Sequence, residues 1–226
     1  MGTKITFPRV DGKPTVGYLA KPSKANAPGV VVIQEWWGLQ DQIRGICDRL
    51  ALAGYEALAP DLYAGTTVPY HDTQAAAHEM NSLNFLDATD QVVRGAARYL
   101  GQTADRVGLM GFCMGGAVTV LGAARIPEIS AAVAFYGLPL EGAINPADIK
   151  IPLQGHYSQT DDYITPQRVG LLAARLKKAK AKFRFYSYPA EHGFMNEQRD
   201  VHQRKAAEQA WKRMLKFWKK HLQRCD

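Results

Sequence analysis

Cys113 stands at the centre of Gly111-Phe-Cys-Met-Gly115, a G-x-C-x-G sequence. That spacing supports nucleophilic chemistry where a strand turns sharply into a helix. The flanking glycines remove Cβ atoms that would collide, and the central side chain is lifted to the helix N-terminus, whose free N–H groups favour an anion. A thiol of ordinary pKa, about 8.5, is only slightly ionised at neutral pH, so such a nucleophile needs a base. Of the six histidines, His192 in Tyr188-Pro-Ala-Glu-His-Gly-Phe194 follows a predicted strand and precedes a glycine turn. His156 ends another strand and could also face a cleft, whereas His71, His78, His202 and His221 lie in polar loop or helix contexts. A carboxylate at the end of the preceding strand would hold the imidazole in one tautomer. Asp161 and Asp162 both qualify; Asp161 is preferred, leaving Asp162 as a helix-capping or solvated acid. The alternative for Cys113 is a small, inert core residue at a glycine-rich corner.

Bringing these residues together requires strands and helices in alternation. Short β-branched runs predict strands over 29–34, 55–59, 106–111, 130–136, 151–156 and 183–188. Amphipathic spacing predicts helices over 39–53, where Ile43, Ile46, Cys47 and Leu50 share a stripe, and over 114–124, 168–179 and 201–222. One or two further helices fall within 74–101, and 63–73 is a loop. The pattern is that of an α/β protein with a mostly parallel central sheet and helices on both faces, in one domain over residues 1–226. The chain order nucleophile, acid, histidine agrees with an α/β-hydrolase fold.

Composition narrows the function classes. With 226 residues and 46% hydrophobic content the chain can bury a substantial core. It has no stretch near the roughly 20 apolar residues of a membrane span, which predicts a cytoplasmic protein without a membrane partner. Cys47, Cys113 and Cys225 form no C-x-x-C pair, so neither a disulfide framework nor a zinc ribbon is expected, and no cofactor or metal is implied. The net charge of +7 is concentrated in the C-terminal third, in runs such as Trp211-Lys-Arg-Met-Leu-Lys-Phe-Trp-Lys-Lys220. At helical spacing among apolar residues, these cations predict a solvated helix face and no nucleic-acid partner; the alternative is a non-catalytic module with a polyanion-binding face. The expected assembly is a monomer or small homo-oligomer.

Three blocks, Val32-Ile-Gln-Glu-Trp-Trp-Gly38, Gly111-Phe-Cys-Met-Gly-Gly116 and Glu191-His-Gly-Phe194, resemble the dienelactone hydrolase family. Ala59-Pro-Asp-Leu-Tyr63 and the Asp161 loop support the likeness, which extends over roughly residues 14 to 220. The resemblance implies a cysteine-dependent hydrolase of an ester bond in a lactone, of the carboxymethylenebutenolidase kind, serving aromatic compound degradation. It assigns Cys113, Asp161 and His192 to a triad, and it makes Glu35 the group that interacts with the thiol and accepts its proton when substrate binds. The backbone N–H groups of Trp36 and Met114 would form the oxyanion hole. Read without the resemblance, Glu35 is a helix-entry residue for the segment that follows. The chain departs from the family in its carboxylate-binding arginines. None occurs between Arg49 and Arg94, and position 196, four residues beyond His192, is Asn. A general carboxylesterase or thioesterase with the same triad is the alternative activity.

Overall fold

The computed structural model describes residues 1–223, so Cys225 lies outside the described residues. Strands β1 (Thr3–Pro8) and β2 (Pro14–Ala20) form an antiparallel hairpin that turns at Asp11-Gly12, where Gly12 has φ +82°. They are followed by β3 (Gly29–Ile33), β4 (Glu56–Pro60), β5 (Val107–Phe112), β6 (Ile129–Phe135), β7 (Leu153–Thr160) and β8 (Phe183–Glu191). The eight strands make one sheet in the order β1-β2-β4-β3-β5-β6-β7-β8. β2 pairs antiparallel with β4, and every pairing from β4 to β8 is parallel. This is the α/β-hydrolase type of fold expected from the alternating pattern, and its N-terminal hairpin is the part that the pattern did not predict.

Both faces of the sheet are covered, so its central strands are apolar throughout; all five residues of β3 are buried. Helices α1 (Asp41–Leu52) and α7 (Arg204–Leu222) lie on one face, against Val30 and Val32 of β3, Met110 of β5 and Val133 of β6. In α7 the buried stripe is Ala206, Ala207, Ala210, Met214, Trp218 and Leu222, which leaves its lysines exposed on the outer side. The opposite face takes Val31 and Ile33 of β3, the helical segment ending at Leu100, α5 (Met114–Arg125) and α6 (Pro166–Lys178).

The region expected to hold one or two helices is α2 (Thr73–Ser82), then α3 (Phe85–Asp87), a π-helical stretch Ala88–Val93 and α4 (Arg94–Leu100). Asp72 caps α2 by accepting from Ala75 N–H, and Asn84 caps α3 by accepting from Leu86 and Asp87 N–H. Within the π stretch the Gln91 carbonyl accepts from Val10 N–H of the hairpin, 3.1 Å away, an outside donor drawn into the helix ladder. Two strands run further than their β-branched residues suggest. β7 continues to Thr160 and β8 to Glu191, held by pairing between Thr160 and Glu191 after an irregularity in the register. The extensions bring Asp161 and His192 immediately beyond the carboxyl ends of adjacent strands, beside the carboxyl end of β5.

Candidate active site

Between β5 and α5, Cys113 has φ 54° and ψ −117°, a backbone conformation that side chains other than glycine rarely adopt and that costs on the order of 1–3 kcal/mol. It is held on both sides. Its N–H donates to Phe135 O at 3.0 Å, and its carbonyl accepts from Gly116 and Ala117 N–H at 2.9 and 3.2 Å. The tightness explains the glycines. A Cβ on Gly111 would lie 2.2 Å from the Gly115 carbonyl oxygen, and one on Gly137 would lie 2.0 Å from the Cys113 carbonyl oxygen. Gly137 belongs to the loop after β6 and was not singled out by the motif. The sulfur-bearing residue is half-buried.

Nδ1 of His192 lies 2.9 Å from Oδ2 of Asp161. Oδ1 of the same carboxylate accepts from the backbone N–H groups of Tyr163 and Ile164 at 3.0 and 2.8 Å, which fixes its orientation. The Asp161 carboxyl is buried, which opposes its charge, yet the His192 contact and the two N–H donors hold it below the usual carboxylate range. Burial likewise opposes a charge on His192. The Cys113 sulfur, when ionised, and Asp161 outweigh that burial and push His192 up to about 10. Asp162 is exposed on the cleft wall, and α6 is capped by Thr165 instead. His156 does not face the cleft: it is fully buried and stacked 4.7 Å from Phe135.

Glu35 follows β3 and is buried, but its oxygens are directed at other partners in this state. Tyr136 Oη donates to Oε1 at 3.0 Å and Asn196 Nδ2 donates to Oε2 at 2.8 Å. Burial raises its pKa, against the opposing influence of Asn196, His192, Tyr136 and Arg199. Tyr136 was not connected to the site by sequence reasoning, and Asn196 was noted there only for not being arginine; they reach Glu35 from positions 101 and 161 residues away along the chain. Trp36 lines the cleft and Trp37 is buried beneath it. Met114 opens α5, so its N–H has no carbonyl one turn back. Among the described residues no carbonyl or side chain accepts from Trp36 N–H. These are the two donors expected to face an oxyanion.

The family profile of the dienelactone hydrolase family matches residues 15–222. The chain belongs to the dienelactone hydrolase family. It is therefore a hydrolase of carboxylic esters. It is 34% identical to the protein usf of Aquifex pyrophilus, over 98% of this chain and all of that protein. It is 32% identical, with the same coverage, to a protein of Aquifex aeolicus named "Putative carboxymethylenebutenolidase". Among solved structures, one titled "Putative Dienelactone Hydrolase" from Klebsiella pneumoniae superposes with a TM-score of 0.85 at 30% identity, over 98% of this chain and all of that one. A dienelactone hydrolase-like promiscuous phosphotriesterase from metagenomic libraries shares the fold, with a TM-score of 0.83 at 20% identity over 98% of this chain and 99% of that one.

In this family member a cleft of about 1050 Å³ opens over Cys113 and His192. One wall comes from the ends of β7 and β8 and the loops that follow them, where the polar groups of Thr160, Asp162, Glu191 and Arg199 stand beside Tyr163, Ile164 and Val201. The other is apolar and comes from α2, α3, α5 and the loop after β6, including Met80, Phe85, Leu121 and Leu138. Arg199 stacks over Trp37 at 5.3 Å, and Arg168 donates to the Tyr163 carbonyl at 2.6 Å. Among the described residues no group of three or more His, Cys, Asp or Glu side chains is arranged to hold a metal ion, and no helix is long and apolar enough to cross a membrane.

Proposed function

We propose that the chain hydrolyses a carboxylic ester or lactone through an acyl-cysteine intermediate, with Cys113 as nucleophile, His192 as acid and base and Asp161 as orienter. The observation that carries this reading is the imidazole held by Asp161 on one nitrogen in the same cleft as a cysteine strained at a strand-to-helix elbow. The Cys113 sulfur attacks the carbonyl carbon and forms the C–S bond. The carbonyl oxygen gains the charge and faces the Trp36 and Met114 N–H groups. As the C–O bond breaks, the departing oxygen takes a proton from His192. Water then attacks the thioester, giving its proton to His192; the C–S bond breaks to release the carboxylic acid, and the thiolate recovers its proton from Glu35.

Glu35 is proposed to take the thiol proton when substrate enters. It must then exchange Tyr136 or Asn196 for the sulfur, a step that links thiol activation to occupancy of the cleft. Thiolate chemistry also favours particular esters. The tetrahedral intermediate expels its better leaving group, and a thiolate leaves more readily than a simple alkoxide, so enol and aryl esters, and lactones containing an enol oxygen, are the competent substrates. A dienelactone fits that chemistry. Asn at position 196 and the absence of arginine between Arg49 and Arg94 weigh against a substrate held by the family's carboxylate clamp.

The cleft volume favours a second reading, a broader esterase or thioesterase with the same residues, because about 1050 Å³ is at the upper end for drug-sized ligands and far exceeds one lactone ring. Steady-state rates on dienelactones, simple lactones, aryl esters and thioesters, for wild type and Cys113→Ala, separate the two. Lactone turnover lost with Cys113 supports the first; turnover of aryl esters or thioesters alone supports the second. Hydrolysis that survives Cys113→Ala sinks both.

A further inference from the structure

The two walls of the cleft differ in a way that bears on which half of an ester occupies each. His192 gives its proton to the departing oxygen, so the leaving group lies on the His192 side, where the polar groups of Thr160, Asp162, Glu191 and Arg199 are joined by the Tyr163 ring, 5.3 Å from the imidazole. The acyl half points away from it. There the cleft follows α5, where Met114, Ala117 and Leu121 succeed one another at spacings of three and four and so form one apolar stripe leading away from the nucleophile. Leu121 lies eight residues beyond Cys113, roughly 12 Å along the helix. Met80, Leu83, Phe85 and Leu86 line the same cleft, and Phe85 packs against the cluster that contains Leu121 of α5 and Leu138 of the loop after β6. Leu86 remains 49% exposed, an apolar side chain at the mouth with solvent access.

Resting on the acyl-cysteine reading above, we propose that the substrate is an ester whose acyl portion is an extended apolar chain or ring system laid along α5 beneath α2 and α3, with a compact polar leaving group beside His192. The channel is apolar from Ala117 to Leu121, so each methylene buried there adds to kcat/KM, whereas a small acyl group leaves most of it filled with water. Met114, Ala117, Leu121, Phe85 and Leu138 are then the specificity-determining contacts.

The test is a series of p-nitrophenyl esters from acetate through butyrate and hexanoate to octanoate, in which the leaving group is constant and only the acyl length changes. The expected result is a rise in kcat/KM approaching about fourfold per methylene while the channel fills. Leu121→Phe narrows the far end of the channel, and Leu86→Asp charges its mouth from a half-exposed position where folding is not at stake. Each should lower the octanoate-to-acetate ratio of kcat/KM by about tenfold. A flat or falling series in the wild type, with acetate hydrolysis still dependent on Cys113, overturns this inference and leaves the catalytic reading standing. An unchanged ratio in both variants overturns the placement along α5. Absence of Cys113-dependent turnover on every ester overturns the catalytic reading, and this inference with it.

Discussion

Two buried histidines at the carboxyl end of the sheet show how differently one side chain can be used. His156, on β7, has Tyr188 Oη 2.7 Å from Nδ1 and Gln154 Oε1 2.9 Å from Nε2, and it stacks against Phe135, Tyr186 and Tyr188. All these partners are neutral, so burial lowers its pKa to about 3, and the charge of Arg213 acts in the same direction. His192, just beyond β8, is also buried, and burial pulls it the same way. Its partners, the Cys113 sulfur when ionised and the Asp161 carboxylate, bring negative charge and reverse the result to about 10. Burial is therefore common to both, and the charge of the partners decides which imidazole keeps a proton.

Removing each ring is the sharpest way to break this contrast. His192→Ala should lower kcat by about 10³- to 10⁴-fold, because the sulfur loses its counter-charge and the leaving group its proton donor. His156→Phe, which keeps the aromatic stack, should leave kcat/KM of the folded enzyme at the wild-type level. Comparable losses in both variants would mean that His156 reaches the chemistry through Tyr188 and is not a core residue. Asp161→Asn and Asp162→Asn give the next largest difference. The first should cost about 10²- to 10⁴-fold in kcat by freeing the imidazole tautomer, and the second, exposed on the cleft wall, should cost little. Steady-state kinetics at fixed pH checks both pairs; a larger loss at Asp162 would reverse the assignment.

These choices also mark where the sequence was legible. The elbow could be read from five residues because its requirements are local: a strand, a helix and glycines whose missing Cβ atoms let them touch. The central strands β3, β5 and β6 are continuous apolar runs and were equally plain. Strands β1 and β2 escaped notice because β1 is the sheet edge and buries only Phe7, and β2 beside it is only partly buried, although Asp11-Gly12 is a hairpin signal. The last turns of β7 and β8 carry Ser, Gln, Thr and Glu, and their strand character comes from pairing with each other. The π stretch depends on a donor from the distant hairpin. His156 and His192 both come near strand ends in the sequence, and the structure separates them: His156 lies within β7 and is fully buried, whereas His192 follows β8 and meets Asp161. Tyr136 and Asn196 meet at Glu35 from opposite parts of the chain, with no motif to join them.

Acid stability sharpens the comparison through His156 alone. Its folded pKa is depressed, so the unfolded chain binds the proton first, and stability falls as pH drops below about 6.5, continuing towards pH 3. Between pH 7 and pH 4 this one group should cost about 3 kcal/mol. Denaturant unfolding of His156→Phe across that range should show a correspondingly shallower loss. An identical slope in variant and wild type would mean that His156 acquires its proton in the folded state without penalty.

Glu35 supplies the smallest and most discriminating effect, because it is a buried acid whose partners are partly neutral and partly charged. Burial raises its pKa despite hydrogen bonds from Asn196 and Tyr136 and the nearby charges of His192 and Arg199. A raised carboxyl favours the fold below its unfolded pKa, about 4.5, and that advantage is lost as pH rises through the folded value. Glu35→Gln removes the ionisation, keeps an oxygen to accept from Asn196 Nδ2, and presents an N–H to Tyr136 Oη, which can turn to accept it. The variant should match wild type in stability near pH 4 and exceed it at pH 8, while losing about 10²-fold in kcat/KM if the carboxylate accepts the thiol proton. Greater wild-type stability at pH 8 would mean that His192 and Arg199 fully compensate the buried charge, placing Glu35 with His192 among the groups governed by charged partners and not with His156.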